Sequence, residues 1–323
     1  MKGSLFIFLA IHLCIDSYSQ SLEDSGIKIK KRTFVYKMVG EVPIRADLFQ
    51  TTGDNALKPV IIWIHGGALI FGSRTDLPEE QMKFYLKAGY SVVSIDYRLA
   101  PRTKLPEIVD DVKDAVQWIR VNGSDSLSID SKKIFIIGHS GGAYLALMSG
   151  YILKNPPQGI VSFYGYGDIQ SEWYNKPDSF YRTMPSISEE KAAKLNYDSV
   201  ITTASRNDRR DLYVYSRQKG LWPLLVSDHN PVKEGEWFDR YCPIKNINTN
   251  YPPVLLIHGD KDTDVPFEQS VLMDKELELK KIKHKFIIMK NYDHVFDLRQ
   301  GGLSNPDIYK VFNEVIAFLN NCR

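Results

Sequence analysis

The 323-residue sequence has few cysteines and almost no excess of positive over negative charge, and both features narrow the classes of protein to which it can belong. Its three cysteines do not make a disulfide framework, and a core of this size needs no disulfide or metal to hold it together. The formal net charge is only +2, and no Lys/Arg run is interleaved with aromatic residues. A nucleic acid is therefore not expected as a partner, and no metal site is predicted.

The sequence also has little that could cross a membrane, which takes a run of about 20 apolar residues. Its longest apolar stretch covers residues 5–15, after Lys2 and before Ser17-Tyr18-Ser19, whose small residues occupy the two positions that a signal peptidase reads. This pattern predicts a signal peptide over residues 1–19. We therefore expect a secreted or periplasmic protein with no stable membrane insertion after signal removal; an uncleaved anchor or a buried N-terminal helix is the alternative.

What the sequence does contain, from residue 33 onward, is an alternation of short β-branched runs with helical patterns. That alternation is typical of a parallel sheet with crossover helices, and the first two strands read as a hairpin. The predicted strands are 33–38, 44–49, 60–64, 91–95, 133–137, 160–163, 253–257 and 285–289. The predicted helices are 79–88, 106–121, 141–151, 267–280 and 306–320. The fold class is therefore α/β, a doubly wound, mostly parallel sheet of eight strands, and Lys28–Arg32 reads as a solvated lead-in to the first strand.

A nucleophile motif stands between a predicted strand and a predicted helix. Residues Gly138–Gly142 match G-x-S-x-G, with Ser140 at the centre. A sharp strand-to-helix turn strains the backbone at the serine, so small residues are needed two positions to either side. The turn also places the helix N-terminus, with its free N–H groups, beneath a developing negative charge. Ser140 is therefore the predicted nucleophile, and the neighbouring His139 is a possible pocket residue.

A second glycine-containing loop follows the strand at residues 60–64. Acyl transfer passes through a tetrahedral oxyanion, which needs preorganised N–H donors. Glycines in this loop let the backbone approach a substrate closely. The predicted donors are the backbone amides of Gly67 and Ala68, together with Gly141 after the nucleophile, and Gly66 is a possible pocket residue.

With these two loops in place, the chain resembles the hormone-sensitive-lipase-like, acetyl-esterase branch of the α/β-hydrolases. His65-Gly66-Gly67-Ala68 is similar to the HGGG loop of that branch, and Asp96-Tyr97-Arg98-Leu99-Ala100-Pro101 to its DYRLAP segment. The resemblance covers residue 33 to the end apart from 165–250. It implies the α/β-hydrolase fold, a serine esterase acting on short acyl esters, and no cofactor. The elbow departs from the usual GDSAGG, so the subfamily stays open.

The acid and the base are expected after the last two strands, because the fold requires the order Ser, Asp, His. The loop 258–267 resembles the acid loop of prolyl-oligopeptidase-like hydrolases and of acetyl-xylan or feruloyl esterases, and the resemblance makes Asp262 the acid. Asp260 would then cap the loop, and Asp264 would be solvated or hold backbone. His294 follows the last strand as the base. Asp293 before it is expected to point to solvent; the alternative is that its carboxylate raises the pKa of the imidazole.

The alternation of strands and helices stops between residues 165 and 250, where the sequence is polar and aromatic without a strong period. Because a structureless stretch of that length is uncommon, we expect a helical cap inserted over the catalytic face, between the parts of the catalytic domain at 20–164 and 251–323. A divergent continuation of the main domain is the alternative. The aromatic rings could stack on an acylated or feruloylated carbohydrate, or could form the cap's own core.

Two cysteines, Cys242 and Cys322, remain after signal removal and fall on the same predicted rim of the sheet, so a disulfide between them is left open. Two rival functions also remain. The acid loop suggests a prolyl-oligopeptidase-like serine peptidase, although the chain has no room for the propeller that usually accompanies it. The other rival is a non-catalytic binding protein on a hydrolase fold, although every triad member has a candidate.

Overall fold

The computed structural model describes residues 22–24, 26–53, 56–193 and 199–322. The predicted signal peptide, residues 1–19, lies outside the described residues. Within them, no helix is long and apolar enough to cross a membrane.

The centre of the molecule is one sheet, whose strands in order across it are β1-β2-β3-β5-β4-β6-β7-β8-β9. The strands in the described part of the chain are β1 (Leu22–Asp24), β2 (Ile27–Val39), β3 (Val42–Thr51), β4 (Lys58–Ile64), β5 (Ser91–Ile95), β6 (Ile129–His139), β7 (Gly159–Phe163), β8 (Val254–Gly259) and β9 (His284–Met289). The first four strands in spatial order, β1-β2-β3-β5, pair antiparallel. From β5 onward the strands β5-β4-β6-β7-β8-β9 pair parallel. All eight predicted strands are present, and the short β1 extends the antiparallel edge.

Helices cover both faces of this sheet. The α-helices in the described residues are α1 (Glu79–Lys87), α2 (Leu105–Asn122), α3 (Gly141–Ile152), α4 (Glu172–Asn175), α5 (Glu189–Ala192), α6 (Arg206–Lys219), α7 (Trp222–Ser227), α8 (Gly235–Asp239), α9 (Glu268–Leu279), α10 (Phe296–Arg299) and α11 (Pro306–Asn320). Ile62 and Ile64 of β4 belong to the core beside α2 and α3, whereas Ile61 and Trp63 belong to the core beside α1 and α11. This alternation explains why the parallel strands are apolar throughout, since both of their faces are buried.

One expectation at the antiparallel edge was wrong. Residues 28–32 do not lead into the first strand but belong to it, because Ile29 to Arg32 pair with residues of β3 from Thr51 to Leu48. The strand continues there because β3 is long enough to supply partners, which the basic composition of the segment does not reveal.

The segment between β7 and β8 contains α4 to α8, all short except the 14-residue α6. It packs beside the carboxyl ends of the parallel strands: Gly72, in the loop after β4, forms an isolated bridge with Ala204. Because parallel strands present their carboxyl ends at one edge, the loops after β4, β6, β8 and β9 converge there beneath this insertion.

Candidate active site

The turn after β6 has the geometry expected of a nucleophile elbow. Ser140 has φ 53° and ψ −120°, and it occupies the N-cap position of α3. A Cβ on Gly138 would lie 2.2 Å from the carbonyl O of Gly142, and a Cβ on Gly142 would lie 2.2 Å from the carbonyl O of Ile64. The backbone is thus too closely packed at both positions for any side chain.

Three side chains predicted from distant parts of the sequence meet at this turn. The Oγ of Ser140 lies 3.0 Å from Nε2 of His294. The Nδ1 of His294 lies 2.7 Å from Oδ2 of Asp262. These distances allow a proton to pass from the hydroxyl to the imidazole while the carboxylate holds the other ring nitrogen.

The charges around His294 favour its protonated form. Burial acts to lower the pKa of His294, but Asp262 above all, with Asp264 and Asp293, outweighs burial and raises it. Burial likewise acts to raise the pKa of Asp262, but His294 and His258 outweigh it and hold that pKa well below its usual range. Asp262 is therefore an anion at neutral pH, suited to stabilise an imidazolium.

Asp262 is held by more than His294. Its Oδ1 accepts hydrogen bonds from the amides of Asp264 and Val265, at 2.9 and 2.8 Å. The buried His258 places Nε2 3.1 Å from Oδ2 of Asp262 and 3.1 Å from the carbonyl O of Val265. Both neighbours are acceptors, so Nε2 carries the proton. His258, which follows from its place at the end of a strand only as a structural residue, thus also contacts the predicted acid, as the four-residue separation could have suggested.

The loop after β4 brings backbone amides towards Ser140. Gly67 has φ 99°, and a Cβ there would lie 2.0 Å from the carbonyl O of Phe71. Ala68 also has positive φ, 52°. A Cβ on Gly141 would lie 3.0 Å from the amide N of Ala68, so the two predicted donor segments are adjacent. Within the described part of the chain the amides of Gly67, Ala68 and Gly141 donate to no acceptor, which leaves them free to face an oxyanion.

A cavity of about 500 Å³ opens over these groups. Gly66, Gly67, Ala68 and His139 line it together with Ser140 and His294, whereas Gly141 does not. The volume lies within the range of small-molecule sites, about 300–1,000 Å³. The described residues contain no group of three or more His, Cys, Asp or Glu side chains that could hold a metal ion.

The aromatic residues of the insertion divide between two roles. Phe180, Tyr181 and Tyr213 line the cavity. Others are fully buried in the packing of the insertion, among them Tyr174 and Trp222, whose rings stack 4.0 Å apart. Tyr197, another aromatic residue of the 165–250 segment, lies outside the described residues.

Trp222 also links the insertion to the oxyanion loop. Its indole Nε1 donates a hydrogen bond of 2.9 Å to the carbonyl O of Ala68. This contact stabilises the unusual backbone at Ala68, and no local sequence pattern indicates it. The position of a predicted oxyanion donor thus depends on a residue 154 positions away.

The sequence suggested that Asp264 is solvated or holds backbone, and both expectations were wrong. Its side chain belongs to an ion-pair network. The side chain of Arg217, which is 0% exposed, lies 2.9 Å from Oδ1 of Asp264 and 2.6 Å from Oδ2 of Asp178. The hydroxyl of Tyr213 donates to the same Oδ1 of Asp264 at 2.5 Å. The Oδ2 of Asp264 lies 3.6 Å from Nε2 of His294. Arg217, a residue that the sequence did not single out, thus connects the insertion through Asp264 to the imidazole of His294.

Four aromatic rings surround the guanidinium group of Arg217, with their centroids 4.9 to 5.9 Å from its central carbon. They belong to Trp173, Tyr174, Tyr181 and Tyr213. Contacts of this kind are favourable for a desolvated cation. Together with two carboxylates they allow a buried arginine to remain charged.

The loop carrying His294 is tied to the acid loop by Asp293, so the expectation that Asp293 points to solvent was wrong. Its Oδ1 accepts from the amide and the hydroxyl of Thr263, at 2.8 and 2.9 Å. It also accepts from the amide of His294 at 2.7 Å. Asp260 holds the same loops, because its Oδ1 accepts from the amide of Asn291 at 2.6 Å.

A second buried network lies behind the nucleophile. Asp297, 0% exposed, accepts from the hydroxyl of Tyr164 at 2.6 Å and from Nε2 of Gln81 at 2.7 Å. Nε2 of His139 lies 3.1 Å from the same carboxylate. The ring of Tyr164 meets the ring of His294 edge-on at 4.7 Å. The sequence did not single out Asp297, because its partners lie far from it in the chain.

Both remaining cysteines are free thiols. Cys242 belongs to the core on the α2 and α3 side of the sheet, whereas Cys322 packs against the core on the α1 and α11 side. The expected common rim does not bring the two thiols together, because they pack on opposite faces of the sheet. The open question of a disulfide is therefore answered against it.

Comparison with known proteins gives this architecture a family. The BD-FAE family model matches residues 46–277. An α/β-hydrolase superfamily protein from Enterococcus faecalis superimposes with a TM-score of 0.70 at 23% identity, covering 90% of this chain and 98% of that one. This likeness confirms the predicted fold class.

Two curated relatives are similar over most of the chain. The non-reducing polyketide synthase adrD of Penicillium roqueforti is 26% identical over 340 residues, which cover 91% of this chain and 14% of the synthase. Esterase LipC of Mycobacterium tuberculosis is 27% identical over 256 residues, covering 78% of this chain and 57% of that protein. The chain thus spans a small part of the synthases and just over half of the esterase.

Proposed function

Because the chain belongs to the BD-FAE family and has an α/β-hydrolase fold, we propose that it is a serine esterase that cleaves carboxylic esters through an acyl-enzyme intermediate. One observation carries the proposal. A relay runs from Ser140 Oγ to His294 Nε2 at 3.0 Å and on from Nδ1 to Asp262 at 2.7 Å, beside unoccupied backbone amides. The similarity to a protein named an esterase supports the same reaction class.

In the proposed mechanism, His294 accepts the proton of Ser140 as the serine oxygen attacks the ester carbonyl. Asp262 holds the Nδ1–H tautomer and stabilises the imidazolium. The amides of Gly67, Ala68 and Gly141 bind the oxyanion. His294 then donates its proton to the departing alcohol, and water, activated by the same imidazole, releases the acid and regenerates Ser140.

The substrates would be esters of short acyl chains, with an acetylated or feruloylated carbohydrate as one candidate. The cavity volume of about 500 Å³ and the rings of Phe180, Tyr181 and Tyr213 along its wall support a compact substrate with a planar or ring-shaped part. The proposed setting is extracellular or periplasmic, and only the sequence of residues 1–19 supports it.

The proposal predicts that a fluorophosphonate probe labels the protein and that Ser140→Ala abolishes the labelling. Ser140→Ala should also lower kcat on 4-nitrophenyl acetate by several orders of magnitude, about 10⁴-fold or more, because the nucleophile is lost. Ser149→Ala, a buried serine on α3 whose hydroxyl bonds the carbonyl of Ala146, is the matched control. Nitrophenyl esters of graded length and dipeptide anilides, assayed side by side, separate an esterase from a peptidase. Absence of labelling in the wild-type protein would identify a non-catalytic binding protein instead.

A further inference from the structure

We propose that the preferred substrates are esters that carry a carboxylate or a similar anionic group, bound at the cavity rim by Arg206, Arg210 and Arg299. This inference deepens the proposed esterase function and rests on it. The shared chemistry is an anion within reach of the reacting carbonyl, on either the acyl or the alcohol side of the ester.

Two of the arginines come from the helix that forms one wall of the cavity. Arg206 and Arg210 lie one turn apart on α6, and both line the cavity with Tyr213 and Val214 of the same helix face. The helix spans 14 residues and begins at Arg206, so its positive end lies at the cavity as well. Both side chains are exposed, so their guanidinium groups are accessible to a solute.

The third arginine comes from a different part of the fold. Arg299 ends α10, five residues after His294, and its exposed side chain also lines the cavity. The rim is therefore cationic on the side of the insertion and on the side of the catalytic histidine. A single helix face rich in arginine would not produce this arrangement.

Two of these three cations have no carboxylate partner among the described residues, and the third shares its partner with a lysine. Within the described residues neither Arg206 nor Arg299 forms an ion pair. The nearest carboxylate oxygen to Arg210 is Oδ1 of Asp211 at 3.7 Å, and Asp211 also pairs with Lys191 at 3.0 Å.

The carboxylates of the cavity wall are, by contrast, engaged within the protein. Asp264 is paired with Arg217. Asp76 accepts from the amide of Ser73 at 2.9 Å, and Asp293 from the amide of Thr263 at 2.8 Å. The charged groups left to bind a solute at the rim are consequently the arginines. Guanidinium groups bind carboxylates in a bidentate manner, and a cationic cleft also accelerates the arrival of anions.

Matched substrate pairs test the inference with charge as the variable. For the acyl side the pair is 4-nitrophenyl hydrogen adipate and neutral 4-nitrophenyl adipamate; for the alcohol side it is 4-acetoxybenzoate and 4-acetoxybenzamide. We expect kcat/KM to favour the anionic member of at least one pair by about tenfold at low salt, and the preference to shrink in about 1 M NaCl, where charges are screened beyond about 3 Å. The pair that responds identifies the side of the ester that carries the charge.

Variants locate the effect. Arg206→Gln, Arg210→Gln and Arg299→Gln should each reduce the preference by about two- to fivefold, the worth of an accessible ion pair. The control is Arg182→Gln, an exposed arginine of the insertion that does not line the cavity, and it should leave the preference unchanged. Melting temperatures check that every variant is folded.

Equal kcat/KM for charged and neutral members of both pairs, or a preference insensitive to the three arginine substitutions, overturns this inference while leaving the esterase proposal standing. If none of the four esters is hydrolysed, the esterase proposal is overturned. Calorimetric titration of Ser140→Ala with 4-acetoxybenzoate and 4-acetoxybenzamide then decides the binding question: tighter binding of the anion, lost in Arg299→Gln or Arg206→Gln backgrounds, supports the cationic rim, and equal binding refutes it.

Discussion

The two sides of the candidate active site are built in different ways. On the nucleophile side, Ser140 is positioned by backbone packing, with Gly138 and Gly142 filling spaces in which a Cβ would lie 2.2 Å from a carbonyl oxygen. On the acid and base side, Asp262 and His294 are positioned by hydrogen bonds and ion pairs that reach other loops and the insertion. Local sterics thus determine one side and long-range polar contacts the other, so substitutions should affect them differently.

The largest expected effect is the loss of the predicted acid. Asp262→Asn should lower kcat/KM for 4-nitrophenyl acetate by about 10⁴-fold, because an amide would favour the wrong tautomer of His294. The matched control is Asp264→Asn in the same loop, which should lower activity far less. Similar losses in both variants would contradict the assignment of the acid to Asp262.

Next is a steric test on the nucleophile side. Gly142→Ala places a methyl group 2.2 Å from the carbonyl O of Ile64 and 2.3 Å from that of His65, so the elbow must shift. We expect kcat to fall about 100-fold, since a displacement of about 1 Å at a reacting atom can cost that much. Gly235→Ala is the control, because its Cβ would meet only Oε1 of Gln170 at 3.6 Å. Wild-type turnover in Gly142→Ala would show that the elbow does not depend on close packing.

On the acid and base side, loss of a polar contact should lower the free energy of unfolding rather than displace the backbone. Arg217→Met leaves Asp178 and Asp264 without their shared cation, and breaking a buried ion pair by removing one partner costs about 3 kcal/mol. Denaturant unfolding measures the change. Lys219→Met, which removes an exposed cation from the end of the same helix, should change the unfolding free energy little. Equal effects of the two substitutions would mean that the network contributes no more than surface charge.

The smallest expected effect is a shift in the pH profile. Asp262, Asp264 and Asp293 face His294 and raise its pKa, while the ring of Tyr164 packs against it without charge. kcat/KM falls as pH drops through this pKa, because protonated His294 cannot accept the proton of Ser140. Removing the charge in Asp264→Asn lowers the pKa of His294, so the acidic limb should move to lower pH.

Asp178→Asn supplies the control for that shift, because it removes the other carboxylate of Arg217 but is not among the charges that raise the pKa of His294. Its acidic limb should stay close to that of the wild type. If the acidic limb of Asp264→Asn stays in place or moves to higher pH, the charge of Asp264 does not raise the pKa of His294.

The same division explains what could be predicted. The strands, the elbow with Ser140 and the place of His294 after the last strand follow from local patterns, because β-branched runs, glycine requirements and strand-to-loop positions are properties of short segments. The choice of Asp262 among the three carboxylates of its loop rested on a family resemblance instead. Trp222 at the carbonyl of Ala68, Arg217 at Asp264 and Asp297 behind His139 carry no comparable local pattern. Each joins positions far apart in the chain.

The sequence by itself therefore determined the sheet, its crossover helices and the residue types at the turn ends, since backbone sterics and hydrophobic periodicity act within a few residues. Only the tertiary structure decided which carboxylates surround His294, which rings line the cavity, and that Cys242 and Cys322 lie on opposite faces of the sheet. Those outcomes depend on how the insertion packs across the strand ends. That packing is a sum of many contacts between distant segments, and no short stretch of sequence contains it.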